Sequence, residues 1–245
     1  MTQSDQKEPG RADPENSRAD PENARVEREN ATVDQRDPSE PTFLWRICRM
    51  IARPVMTLMF QLKVYGRHHV PRRGGCLIVS NHQSYLDPVL IGVFLPRPMA
   101  YLSKSELFTN RYFAWLILSL HAFPIRQGKG DVGAMKELIK RLKQGYVANV
   151  FVEGTRTETG ELLPVEPGAA LVIRRAGVPV VPCVVDGSFQ AWPRTEKIFH
   201  AYPISVMYGP PLKVEGLKAN EITQLIERTL HEMFDELRAI RRRST

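Results

Sequence analysis

Two side chains five residues apart, His82 and Asp87, offer acid–base chemistry. An imidazole can take a proton from a substrate hydroxyl, and a nearby carboxylate can hold the ring and favour the imidazolium. Asp87 also fits as the N-cap of a helix with Pro88 in its first turn. The two roles are compatible, because a carboxylate has several acceptor sites. A second group is Glu153-Gly154-Thr155-Arg156. Arg156 carries a planar fork suited to phosphate oxygens, Gly154 lets backbone approach a ligand closely, and Thr155 can donate a hydroxyl. The bland alternatives are a satisfied buried imidazole at His82 and a pairing of Glu153 and Arg156 with each other or with the fold.

The elements that must position these groups are legible. Cys76–Val79 reads as a buried strand and Val89–Leu95 as a short helix, so His82 falls in the crossing from strand end to helix start. Tyr146–Val152 reads as another buried strand, with Glu153–Arg156 at its carboxyl end. Further strands are Leu62–Gly66, Met99–Ser103 ending at Lys104, Ala122–Ile125 ending at Arg126, Val178–Val185 and Ile204–Tyr208. Pro179 and Pro182 predict irregular, edge-like pairing in the sixth of these. Helices are expected over 131–144, 168–177 and 221–240. In the first of them Met135, Leu138, Ile139 and Leu142 form the apolar face, and Lys136, Lys140, Arg141 and Lys143 the solvated one. Tyr112–Leu120 is apolar but too short to span a membrane, and burial is its default. The alternation of strand and helix predicts an α/β fold, a mostly parallel central sheet flanked by helices. Ligands gather beyond the carboxyl ends of strands in such sheets, where His82 and Arg156 both fall.

Asn81-His82 with Asp87 resembles the His-x4-Asp motif of the glycerolipid acyltransferases, which include the 1-acylglycerol-3-phosphate acyltransferases. Three further blocks follow in that family's order. His121-Ala122-Phe123-Pro124-Ile125-Arg126 resembles the second. Phe151-Val152-Glu153-Gly154-Thr155-Arg156-Thr157 resembles the third, usually Phe-Pro-Glu-Gly-Thr-Arg-Ser. Val178-Pro179-Val180-Val181-Pro182 resembles the fourth. Val152 replaces the usual proline, and Thr157 the serine. The resemblance implies a glycerol-3-phosphate acyltransferase-like fold with His82 as general base and Asp87 as its orienting carboxylate. It implies that Arg126, Glu153, Gly154, Thr155 and Arg156 bind the phosphate and glycerol of the acceptor, with Lys104 helping to hold an anionic substrate. The donor would be acyl-CoA or acyl carrier protein, the acceptor 1-acylglycerol-3-phosphate, and the product phosphatidic acid. Two other readings stay open: transfer to another lyso-lipid such as a lyso-amino-lipid, and a non-catalytic lipid-binding protein with a relic site. No Gly-x-Ser-x-Gly elbow, Walker loop, zinc helix or dinucleotide fingerprint occurs, and neither a cofactor nor a metal is expected.

Charge divides the 245 residues. Residues 1–42 hold 6 Lys+Arg against 11 Asp+Glu, and the remainder 28 against 16. So basic a remainder expects an anionic partner, and without a nucleic-acid-binding signature an anionic membrane or phosphorylated substrate is preferred to nucleic acid. Residues 1–42 are poor in large apolar groups and carry a seven-residue near-repeat, Arg11–Ser17 then Arg18–Ala24. They read as a disordered acidic tail in which Pro14 and Pro21 break helices. Residues 43–60 are apolar apart from Arg46, Arg49 and Arg53, one stripe of a helix that Pro54 should end or restart. That pattern fits a membrane-interface helix with arginines toward anionic headgroups; the alternative is a helix packed on the domain with its arginines in water. Residues 61–245 then form the acyltransferase domain. Three scattered cysteines suit a reducing compartment, so the expected location is the cytoplasmic face of a membrane, peripheral or monotopic.

Overall fold

The computed structural model describes residues 21–34, 37–104, 108–125 and 132–243. Seven strands form one sheet: β1 (Lys63–Tyr65), β2 (Cys76–Ser80), β3 (Met99–Lys104), β4 (Ala122–Ile125), β5 (Val147–Phe151), β6 (Val180–Asp186) and β7 (Ser205–Tyr208). Their order is β1-β7-β6-β2-β5-β3-β4, and every pairing is parallel except β6 with β7. The helices are α1 (Pro21–Asp34), α2 (Phe43–Phe60), α3 (Asp87–Val93), α4 (Arg111–Ser119), α5 (Val132–Lys143), α6 (Gly168–Ala176), α7 (Ser188–Ala191) and α8 (Ala219–Arg242).

The alternation of side chains along each strand feeds two cores. Leu77 and Val79 of β2 join α5, α6 and α8 on one face, where Ile222, Ile226, Leu230 and Phe234 supply the stripe of α8. Cys76 and Ile78 face the other way, against Leu90 and Ile91 of α3 and Phe60 of α2. β2, buried along its whole length, therefore reads as an unbroken apolar run.

Several expectations are corrected. Pro182 lies within β6, an interior strand, not at an edge. The β6–β7 register ends at Cys183, and one residue further on the Pro182 carbonyl accepts from Gly209 N at 2.8 Å. Its missing N–H therefore falls just past the ladder. Pro54 does not end its helix: α2 is continuous through Phe60, and the turns just before the proline are tied to the end of α3. Arg49 Nε and Arg53 Nε each donate to Val93 O at 3.1 Å, and Arg49 Nη2 donates to Leu95 O. Arg49 and Arg53 thus turn toward the domain, whereas Arg46 is exposed. Apart from Arg46 and Thr57, what α2 presents outward is apolar, with Phe43, Met50 and Leu58 at 80%, 70% and 82% exposure. In α4 the default of burial fails too, since Tyr112, Phe113 and Trp115 are exposed.

Most of the tail lies outside the described residues. Within them, Pro21–Asp34 is helical rather than disordered: Pro21 takes the first turn, where its missing N–H breaks no bond. Asn30 of α1 accepts from Arg141 Nη2 at 3.0 Å. Arg141, expected in solvent, is fully buried, paired with Glu137 at 2.7 Å and lying over the ring of Phe123. Its long stem and flat head allow it to cross the apolar face once α1 covers it.

Candidate active site

Each functional group hangs from the carboxyl end of a strand in the middle of the sheet. His82 follows β2, Glu153–Arg156 follows β5 and Ser188 follows β6, and β2 lies between the other two. This is the rim at which open α/β sheets gather ligands.

His82 Nδ1 donates to Asp87 Oδ2 at 2.8 Å. The ring lies flat on Phe151, with centroids 3.7 Å apart and planes 14° from parallel. Among the described residues Nε2 has no hydrogen-bond partner, and the side chain is 18% exposed. So held, Nε2 is able to take up a proton while Asp87 carries the opposite charge.

Asp87 is wholly buried, and its carboxylate does not cap the helix it opens. Its Oδ2 also accepts from Gln83 N at 2.6 Å and Ser84 N at 2.7 Å, and Oδ1 accepts from Ser188 Oγ at 2.6 Å. The buried charge is thus hydrogen-bonded through both oxygens, as burial requires. Ser188 was not singled out from the sequence. Gly187, at φ 96°, turns the chain there, and a Cβ on it would meet Pro203 O at 2.2 Å. Asn81, which the sequence shows within the motif but gives no role, has a structural one. Its side chain bonds Val185 O at 2.9 Å and Val185 N at 2.8 Å, which pins the His82 turn to the end of β6.

Glu153 is buried, and both its oxygens are engaged by backbone. Oε2 accepts from His82 N at 3.0 Å and Oε1 from Leu163 N at 3.1 Å. Burial pushes its carboxyl up to about 7, and the Asp87 charge adds to the rise, against the two backbone donors. Thr157 N donates to His82 O at 2.9 Å, so the 153–157 turn grips the His82 backbone on both sides. Gly154 makes that turn at φ 67°. The two departures from the family pattern have local explanations. Val152 N donates to Ser80 O at 3.0 Å, a bond proline cannot make. The Thr157 hydroxyl accepts from Thr159 N and Gly160 N, both at 3.2 Å, as a serine hydroxyl would.

Arg156 stacks on Tyr85, its Cζ 3.5 Å from the ring centroid. Its Nη1 is buried and has no hydrogen-bond partner among the described residues. A buried guanidinium nitrogen without an acceptor is costly, and a ligand anion would satisfy it. Thr155 is exposed beside it. Lys104 ends β3 on the same rim. Arg126 follows β4 and lies outside the described residues.

A family model for acyltransferases matches residues 61–186, which holds every one of these groups except Ser188. The chain belongs to the acyltransferase family. Among curated relatives, the 1-acyl-sn-glycerol-3-phosphate acyltransferase of Bacillus subtilis is 28% identical over 170 residues, 69% of this chain and 82% of that protein. The 1-acyl-sn-glycerol-3-phosphate acyltransferase alpha of Ovis aries is 32% identical over 185 residues, 74% of this chain and 64% of that protein. In fold, this acyltransferase is similar to the crystal structure of the 1-acyl-sn-glycerophosphate (LPA) acyltransferase of Thermotoga maritima. The TM-score is 0.69 at 24% identity, covering 80% of each chain.

Proposed function

We propose that this acyltransferase moves a fatty acyl group from an acyl thioester to the free hydroxyl of 1-acylglycerol-3-phosphate, giving phosphatidic acid. The observation that carries the reading is the hydrogen-bonded His82–Asp87 pair on one rim with an Arg156 that lacks an acceptor. In this reading the acceptor phosphate fills the Arg156 fork, and Thr155 and the Gly154 backbone flank it. His82 Nε2 takes the proton of the acceptor hydroxyl as the oxygen attacks the thioester carbonyl. The carbon–sulfur bond then breaks, and the leaving thiolate takes the proton back from His82. Asp87 stabilises the transient imidazolium, and general-base help of this kind is worth about 10²- to 10⁴-fold. Glu153 acts through the His82 backbone, and Lys104 and Arg126 help to hold the anionic acceptor. The names of the relatives in Bacillus subtilis and Ovis aries support the choice of acceptor.

The exposed apolar side chains of α2 and α4 support binding at a membrane surface, peripheral or monotopic. Among the described residues, no helix is long and apolar enough to cross a membrane. From Phe60 at the end of α2, neighbouring rings run through Phe199 and Trp192 to Tyr85, beneath Arg156. Such a track suits an acceptor whose acyl chain stays in lipid while its phosphate reaches the site. The surface is the cytoplasmic one in this reading, which free Cys48, Cys76 and Cys183 suit.

The test is product analysis by mass spectrometry with purified protein, offering acyl-CoA and acyl carrier protein donors against a panel of lyso-lipids. Phosphatidic acid from 1-acylglycerol-3-phosphate, abolished in a folded His82→Ala variant, is the expected result. Product from a lyso-amino-lipid alone, or turnover unchanged in His82→Ala, overturns it.

A further inference from the structure

We propose that Arg49, Arg53, Arg67 and Arg72 enclose a second phosphate-binding site, separate from the one beside His82. It lies at the opposite end of α3 from Asp87, about 10 Å along the axis at 1.5 Å per residue. There a cavity of about 480 Å³ opens between α2, the end of α3 and the Arg67–His69 turn. Four arginines and His68 line it, and none of its lining residues is a carboxylate.

Arg49 and Arg53 use Nε and Nη2 on the carbonyls of Val93, Phe94 and Leu95, which fixes both heads at the cavity wall. The Nη1 of each makes no hydrogen bond among the described residues. The side chains of Arg67 and Arg72 make neither a hydrogen bond nor an ion pair among the described residues. Burial, with Arg53 and Arg67 close by, lowers Arg49 to about 10, and Arg53 is lowered by burial and by Arg67. Like charges gathered in a partly dry cleft repel one another, and no acidic side chain there offsets them. An anion relieves that repulsion. Guanidinium forks select tetrahedral oxyanions with two parallel hydrogen bonds. The cavity is of ligand size, and Val70, Phe94 and Pro96 add apolar wall, so the class is a phosphate ester rather than a simple halide.

The phosphate has two sources of the same chemistry: an anionic lipid headgroup, since the outward face of α2 is apolar, or a phosphate ester free in solution. The site is read by binding, not turnover, so its test stands apart from the acyl-transfer reading. Arg67→Ala/Arg72→Ala is compared with Lys136→Ala/Lys143→Ala, an equal loss of charge from α5 on the opposite face of the sheet. Circular dichroism checks that each is folded.

In the first arm, the proteins are sedimented with phosphatidylcholine vesicles with and without phosphatidylglycerol. The arginine pair is expected to weaken binding to the anionic vesicles by about ten- to thirtyfold, and the lysine pair much less. In the second arm, inorganic phosphate is titrated at constant ionic strength in an Arg156→Ala background, which silences the other fork, and the melting temperature is followed. A rise with phosphate that disappears in the arginine pair identifies a soluble phosphate as occupant; loss in the vesicle arm alone identifies the headgroup. Arg67→Lys/Arg72→Lys, which keeps charge without the fork, should fall between. If the arginine and lysine pairs behave alike in both arms, the cavity is not a phosphate site.

Discussion

Ser188 Oγ donates to Asp87 Oδ1 at 2.6 Å across 101 positions of sequence, while His82 Nδ1 donates to the other oxygen of the same carboxylate at 2.8 Å. The histidine is thus oriented by β6 as well as by its own loop. Ser188→Ala removes one donor from a buried charge, a loss of about 1.5–3 kcal/mol. We expect kcat to fall roughly tenfold or more with little change in the acceptor KM. A folded Ser188→Ala variant with unchanged kcat, or one whose loss falls on the acceptor KM instead, would mean that Ser188 serves packing alone.

Arg156→Ala should raise the acceptor KM about ten- to a hundredfold, the worth of one charge-assisted contact, and leave the donor KM nearly unchanged. Arg156→Lys keeps charge without the fork and should be impaired less. Tyr85→Leu removes the ring under the guanidinium and should reproduce part of the defect. Steady-state kinetics varying donor and acceptor separately decides. A rise in the donor KM alone reassigns Arg156 to the thioester carrier.

Glu153 makes folding stability depend on pH with a definite sign. Its carboxyl is raised from an ordinary 4.5 to about 7 in the folded chain. Between those values the native state holds the proton more tightly than the unfolded one. The stability it contributes is therefore full below pH 4.5 and lost as pH rises through about 7. Glu153→Gln cannot titrate. Urea unfolding at pH 5 and pH 8 should show wild type losing about 2–3 kcal/mol more than the variant over that interval. Parallel curves would contradict the raised value.

Met50→Ser/Leu58→Ser should weaken binding to neutral and anionic vesicles alike by at least about tenfold, since each side chain gives up apolar surface worth roughly 1.5–3 kcal/mol when fully buried. Both face outward from α2, so the folded domain should melt unchanged. Deleting the helix is a poorer test, because Arg49 and Arg53 anchor it to α3. Unaltered vesicle binding would show that this face does not enter lipid.

His82 and Arg156 are legible in the sequence because each closely follows a short apolar run that reads as a strand, and Asp87 because it stands before Pro88 at a helix start. The sequence hid Ser188, because nothing local says that β6 lies beside β2. Arg141 differs from expectation for a related reason: periodicity divides a helix into faces without saying what meets them, and here Asn30 of α1 takes Arg141 while Lys136, Lys140 and Lys143 stay exposed. Pro182 was misread because the rule that keeps proline at edges concerns its missing N–H, and that N–H falls just past the end of β7. Arg49 and Arg53 look like lipid-facing charges until the carbonyls at the end of α3 are in view.

The placing of β2 between β5 and β6 also sets a clock. During synthesis His82 leaves the ribosome first, Glu153 next and Ser188 last, although all three meet on one rim. A nascent chain ending before Val180 already carries His82, Asp87 and Arg156, yet Asn81 has no β6 to bridge and Asp87 lacks its Ser188 donor. Contacts over such separations form late in folding. The acid–base pair therefore waits for β6, whose end brings both the partner of Asn81 and the Ser188 donor.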